Sequence, residues 1–213
     1  GPGIGDLRKQ VQMVFQDSYA TLNPRLSIED TITFGPKAQG RGRAEAKARA
    51  HEALDLVGLP PERFAQRYPH ELSGGQRQRA NIARALAMRP RVLILDESVS
   101  ALDKSVEAQV LNLLADLRAR LSLTYLFISH DLGVVRYISD RVMVMYLGKV
   151  VEIGPVEAVY ETPQHPYTKA LLASQLSMDP RRRVSELPIR GDLPDPVNPP
   201  GGCRFRTRCP LAE

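Results

Sequence analysis

Leu72-Ser73-Gly74-Gly75-Gln76 places a hydroxyl, two glycines and an amide side chain directly before an amphipathic run. Such an arrangement can hold an anion. Backbone N–H groups at a helix start carry the positive end of the helix dipole, and glycine lets a phosphate approach the main chain. Ser-Gly-Gly alone is also an ordinary helix cap, yet with Leu72 and Gln76 included this order arises by chance at on the order of 10⁻⁶ per position. Asp96 and Glu97 end the continuous apolar run Val92-Leu93-Ile94-Leu95. Ligands gather at the carboxyl ends of strands in open α/β sheets, so one acid can serve a metal shell while the other polarises water. Neighbours on a strand point to opposite sides, which gives the two carboxylates separate tasks. Read alone, they are equally a pair of exposed loop acids. His130 stands just past a second apolar run, Thr124 to Ile128, level with the acids. There it can reach a bound phosphate or simply cap a loop. Gln16 leaves a third run (Val11, Met13, Val14, Phe15) and can bond a metal-bound water or its own loop.

The elements that must position these groups are legible from periodicity. Gln10 to Phe15, Val92 to Leu95 and Thr124 to Ile128 read as buried strands, the second as a central parallel strand covered on both faces. Ser27-Ile28-Glu29-Asp30 resembles a helix start, and Glu45 to Val57 a helix burying Ala46, Ala50, Ala53, Leu54 and Val57. Gly58 and Pro60-Pro61 stop it. After the Ser-Gly-Gly turn, Ile82, Ala83, Leu86 and Ala87 keep helical spacing until Pro90. Asp103 is an N-cap for a helix carrying Val106, Val110, Leu113, Leu114, Leu117 and Leu121 on one stripe. Val142 to Met145, the Leu147-Gly148-Lys149 turn and Val150-Val151 form a hairpin. Val156 to Tyr160 and Tyr167 to Leu176 read as short helices, and Pro188 to Pro200 as an extended tail. Helices alternating with strands predict a mostly parallel α/β sheet.

Composition narrows the class. The 213 residues are 43% hydrophobic and 25% charged, ordinary for a globular protein with a buried core. No run approaches the roughly 18 to 20 apolar residues of a membrane span, and no secretory signal opens the chain. The net charge of +5 is modest. Its short clusters, Arg41-Gly42-Arg43 and Arg181-Arg182-Arg183, read as solvated surface rather than a nucleic-acid site. Two cysteines, Cys203 and Cys209, are too few for a disulfide scaffold and fit a reducing compartment.

Taken in order, these motifs resemble the nucleotide-binding subunit of ATP-binding-cassette (ABC) transporters over nearly the whole chain. Val14-Phe15-Gln16-Asp17 looks like the Q-loop, and Leu72 to Gln76 is identical to the signature motif. Val92 to Asp96 matches the Walker B strand, with Glu97 in the place of the catalytic carboxylate. Ser100-Ala101-Leu102-Asp103 is similar to the D-loop and Ser129-His130-Asp131 to the switch-histidine loop. Within the family, Asp17 to Arg25, His165 to Leu172 and Gly202 to Pro210 resemble the ATPase subunits of oligopeptide and dipeptide importers. Ser18 and Ser98 stand where that group commonly has proline, and read as tolerated loop changes.

The resemblance implies a P-loop NTPase-like (RecA-like) core with an inserted helical subdomain, truncated at its N-terminus. Residues 1–16 would be a remnant of the core, 17–88 the helical subdomain, 89–155 the core proper and 156–213 a peptide-importer extension. It implies two ATPase subunits sandwiching ATP and Mg²⁺ head to tail. Glu97 and His130 would be catalytic. Gln16, Ser73, Gly74, Gly75, Gln76, Asp96 and Asp103 would bind nucleotide, with Gln16 and Asp96 in the Mg²⁺ shell, in part through water. Transmembrane permease subunits and an extracytoplasmic substrate-binding protein would complete the system. The chain would lie peripherally on the cytoplasmic face of the membrane, with no nucleic acid as partner. Cys203 and Cys209 read as free thiols, an iron–sulfur cluster completed by other ligands being the alternative.

The sequence departs from the family in holding no GxxxxGK[ST] phosphate loop (Walker A). These 213 residues are therefore expected not to bind ATP tightly or hydrolyse it alone. The rival readings are an ABC-type ATPase of DNA repair or chromosome maintenance, and a degenerate non-catalytic relative. The absence of a long coiled-coil or zinc insertion counts against the first, and the intact Glu97 and His130 against the second.

Overall fold

The computed structural model describes residues 3–17, 20–174 and 194–212. The chain divides into two compact units, Gly1–Asp131 and Leu132–Glu213.

In the first unit, helix α1 (Ile4–Gln10) leads directly into strand β1 (Val11–Val14). The sequence reading had not anticipated this helix, because the glycines before it weaken the periodic signal. Helices α2 (Ile28–Ala38), α3 (Arg43–Leu56), α4 (Pro61–Phe64) and α5 (Gly74–Leu86) follow, then β2 (Val92–Asp96), α6 (Lys104–Leu121) and β3 (Thr124–Ile128). The strands form a parallel sheet in the order β1-β2-β3, with Val14 opposite Leu95 and Asp96 opposite Ile128. Parallel pairing needs crossover helices, which these intervening segments supply. Asp96 and the switch-histidine loop therefore leave the sheet at the same end.

The helical part is held by the apolar stripes read from the sequence. Ala46, Ala50, Ala53, Leu54 and Val57 are all buried, and Ser27 caps α2 by accepting from Asp30 N. Gly58 terminates α3 at φ +71°, where a side chain is strained. Helix α5 ends at Leu86, and Arg89 takes a left-handed conformation ahead of Pro90. On α6, Val110, Leu111, Leu114 and Leu117 are buried, whereas Leu121 at the last turn is exposed. A fully buried leucine contributes about 1.5–3 kcal/mol, so this four-residue stripe is a main source of cohesion.

Strand β3 corrects the sequence reading. Only alternate residues are shielded, and Leu126 and Ile128 are 53% and 44% exposed. An apolar run signals a strand, but it cannot say how many layers cover the sheet.

In the second unit, α7 (Leu132–Ile138) precedes an antiparallel hairpin, β4 (Arg141–Tyr146) and β5 (Lys149–Pro155). The hairpin is a two-stranded sheet of its own rather than an extension of the parallel one. Its turn uses Leu147 and Gly148 at φ +44° and +73°, the pairing that matches strand twist. The Arg204 guanidinium donates to the Leu147 carbonyl at this turn. Helices α8 (Val156–Glu161) and α9 (Pro166–Ala173) follow. Phe205 is buried in an aromatic group with Tyr146, Tyr167 and His165. The stretch around Gly202–Pro210 thus contributes a core side chain to its unit. The end of the helix expected to reach Leu176, the Arg181–Arg183 cluster and much of the proline-rich tail lie outside the described residues.

Candidate functional site

The site begins with the way β2 ends. Asp96 is the last strand residue, but Glu97 is not extended: its φ is +47°. The expectation that both acids alternate across a strand fails here, because the chain turns left-handed at the second one. For a non-glycine residue this conformation is costly and is found where surrounding structure enforces it, often at functional sites. Glu97 N donates to the Ile128 carbonyl at 3.0 Å, so β3 holds the turn in place. The turn aims the Glu97 side chain toward the end of β3, where His130 Nδ1 lies 2.9 Å from Glu97 Oε1. The other oxygen, Oε2, is buried and has no hydrogen-bond partner.

Three further loops close around this pair. Ser100 Oγ donates to the Glu97 carbonyl at 2.8 Å, and Gln16 Nε2 lies 3.4 Å from Ser100 Oγ. The glutamine leaving β1 is thereby tied to the turn after β2. Asp131 N donates to Ser129 Oγ at 3.0 Å, and Lys104 Nζ bridges Asp131 and Glu107 at 2.9 Å each. Lys104 was not singled out from the sequence, since its role depends on two acids far apart along the chain. Asp103 caps α6 by accepting from Val106 N at 3.0 Å, and also accepts from Ser105 Oγ at 2.8 Å. These donors hold its carboxyl below the usual aspartate range, the Val106 N–H being the larger cause. Ser98 sits inside the turn with its hydroxyl buried and unpartnered, so this substitution is less neutral than a surface loop change.

The signature stretch forms the start of α5. Ser73 Oγ accepts from Gln76 N at 3.3 Å, and Gln76 Oε1 accepts from Ser73 N at 3.0 Å, a reciprocal capping box. The ordinary cap and the anion-site readings are thus not exclusive. Ser73 is exposed at the helix end, with free approach to its N-terminal face. Behind it, α5 is fastened to the segment following Gln16: Arg84 donates to the Thr21 carbonyl, and Thr21 Oγ1 lies 3.3 Å from Asn81 Oδ1. Burial lowers the pKa of the Arg84 guanidinium.

The Glu97 hydrogen bond, then the Glu97 charge, raises the His130 pKa above its ordinary value, while Lys104 opposes this. The sign follows directly. A group whose folded pKa is raised stabilises fully below its unfolded value, about 6.5 for histidine, and loses that contribution as pH rises through the higher folded value. Thermal midpoints of the wild-type chain and His130→Asn should therefore differ most near pH 5.5–6 and converge in mildly alkaline buffer. A difference that is independent of pH would contradict the pairing.

The comparisons with known proteins agree with this geometry. Residues 3–100 match the ABC transporter family, and residues 151–213 match the oligopeptide/dipeptide transporter C-terminal region. A putative peptide import ATP-binding protein of Brucella ovis is 55% identical over 206 residues, 96% of this chain. The chain carries an ABC transporter ATP-binding domain. The oligopeptide transport ATP-binding protein AppF of Bacillus subtilis is 52% identical over 211 residues, 97% of this chain. The di/tripeptide transport ATP-binding protein DppF of Pseudomonas aeruginosa is 48% identical over 207 residues, again 97%. This ABC chain spans 65% of the first of these relatives and 64% of the other two. Among solved structures, CbiO1 of Clostridium perfringens, part of the ABC transporter complex CbiONQ, superposes with a TM-score of 0.67 at 32% identity. That match covers 75% of this chain and 62% of the other. No helix among the described residues is long and apolar enough to cross a membrane.

The family's use of ATP implies Mg²⁺. Asp96 and Gln16 offer hard oxygen donors at the C-terminal end of the sheet, and Mg²⁺ commonly takes only one or two protein ligands beside water and phosphate. The residues fit that ion. Cys203 and Cys209 form no disulfide and would supply two of the four thiolates an iron–sulfur cluster takes. Among the described residues no group of three or more His, Cys, Asp or Glu could hold a metal ion.

Proposed function

We propose that this ABC chain energises a peptide or dipeptide importer by hydrolysing ATP in a head-to-tail pair of ATPase subunits. The observation that carries this reading is the Glu97–His130 pair, 2.9 Å apart at the sheet's carboxyl end, with Gln16 joined to the same turn. Glu97 takes the proton of the attacking water or orients it. His130, fixed by Glu97 and carrying positive charge when protonated, contacts the γ-phosphate. Asp96 and Gln16 would hold Mg²⁺, which would neutralise phosphate charge. The Ser73 hydroxyl and the N–H groups of Gly74 and Gly75 at the α5 start close over the γ-phosphate of the nucleotide held by the partner subunit. Phosphoryl transfer depends mainly on such positioning and charge neutralisation.

The division into a core remnant (1–16), helical subdomain (17–88), core (89–155) and importer extension (156–213) belongs to the same proposal. So does docking of the permease on the helical subdomain. The chain would then lie on the cytoplasmic face of the membrane beside its permease, with a binding protein delivering peptide. The peptide substrate rests on the C-terminal region match and on what the relatives are named for.

The 213 residues contain no GxxxxGK[ST] sequence, so the main phosphate grip must be supplied outside them. Calorimetry with ATP should show no tight binding to these residues alone. Mixed with an ABC subunit that has the phosphate loop, they should raise ATP turnover. Micromolar affinity with turnover by the chain alone, or no stimulation of any such partner, would refute the respective half of the reading.

A further inference from the structure

From sequence, Gly74 and Gly75 look alike: two residues without side chains where phosphate nears the main chain. Their surroundings within the chain differ. A β-carbon on Gly74 would stand 3.8 Å from Leu102 Cδ2, an ordinary contact. A β-carbon on Gly75 would stand 2.4 Å from Val106 Cγ1, a separation real β-carbons do not show. Val106 occupies the notch that Gly75 leaves.

The occupant is stiff and tethered. Val106 lies in the first turn of α6, and a β-branched side chain in a helix has one strongly preferred rotamer. Its N–H is the one that Asp103 captures at 3.0 Å, and Asp103 is further fixed by Ser105 Oγ at 2.8 Å. Leu102 of the same turn touches the position of Gly74. The turn after the catalytic acids therefore reaches α5 through two consecutive contacts, one loose and one tight.

We propose that Val106 is a positioning residue, seated in the Gly75 notch, that locks the phosphate-facing start of α5 to the Asp103 turn so that both move as one body. The inference rests on the ATPase reading given above and deepens it. Gly74 keeps the main chain open to phosphate, whereas Gly75 is glycine because a valine is packed against it. A nucleotide closing on Ser73 would then shift the Asp103 turn directly. That turn begins at Ser100, which bonds the Glu97 carbonyl and meets Gln16.

The test is a double-mutant cycle in this chain paired with an ABC subunit that has the phosphate loop. Gly75→Ala should lower paired ATP turnover by about tenfold or more, because overpacking a filled seat forces α5 and α6 apart. Adding Val106→Ala removes the clashing methyl. The Val106 Cβ lies 3.8 Å from the new β-carbon position, so the double variant has room. Its turnover and thermal midpoint should return to within about threefold and a few degrees of Val106→Ala alone. Circular dichroism establishes that each variant is folded.

A folded double variant that regains neither turnover nor midpoint would overturn the proposal, and so would an unimpaired Gly75→Ala. Recovery of the midpoint without turnover would overturn the positioning role, leaving Gly75 to serve phosphate approach. Ser73→Arg is run alongside. If it leaves turnover intact, the ATPase reading fails and the phosphate-linked role with it, while the coupling in midpoints still decides whether Val106 is seated against Gly75.

Discussion

In this chain joined to the phosphate-loop segment of an ABC subunit, Glu97→Gln should lower ATP turnover by about 10²–10⁴-fold, the usual worth of a positioned acid–base group, while leaving the KM for ATP nearly unchanged. The split follows from the geometry. Glu97 faces His130 at the end of the sheet, one residue past Asp96, so it is placed for proton transfer rather than for gripping nucleotide. The amide keeps the shape and can still accept from His130, yet it cannot take a proton. A second readout separates chemistry from folding. Glutamine keeps the left-handed backbone but removes the charge from a carboxylate with a buried, unpartnered oxygen, so in mildly alkaline buffer, where the His130 contribution has faded, Glu97→Gln should leave the thermal midpoint unchanged or raise it. A variant that loses turnover only in proportion to lost stability would show that Glu97 is structural.

Ser73→Arg should abolish the contribution of the chain to a partner's site, lowering paired turnover by at least about 10²-fold. Ser73 is the exposed N-cap of α5, and the helix dipole places positive potential at this end. A guanidinium there adds unfavourable charge to the helix and fills the approach a phosphate would take. Loss of the cap itself is a smaller matter, about 0.5–2 kcal/mol of stability. Ser73→Ala isolates that part: it removes the Gln76 N bond but adds no bulk, and should reduce turnover far less than the arginine. Stability curves with urea for both variants, beside paired turnover, give the comparison. Equal losses of turnover in the two would mean that the cap alone matters and that no phosphate meets Ser73.

Much of this was legible in the chain itself. The order Gln16, Leu72 to Gln76, Asp96-Glu97, Ser100 to Asp103 and His130 identifies the family, because each residue type is demanded by phosphate chemistry at its place. Local rules also fixed the caps at Ser27, Ser73 and Asp103, since capping depends on residues only three positions apart. The strand Val92–Asp96 announced itself by an unbroken apolar run.

Tertiary structure decided what depends on neighbours distant in sequence. That Glu97 turns left-handed follows from its bond to Ile128, which lies on another strand. That Lys104 ties Asp131 to Glu107 depends on β3 returning beside α6. That Leu126 and Ile128 face outward depends on how many layers the sheet carries, which no run of apolar residues encodes. The two glycines of the signature show the difference most clearly. Sequence determined that both lack side chains. Only the packing of α6 on α5 decided that at Gly75 the missing β-carbon makes room for Val106, because the space in question belongs to a helix that starts far along the chain.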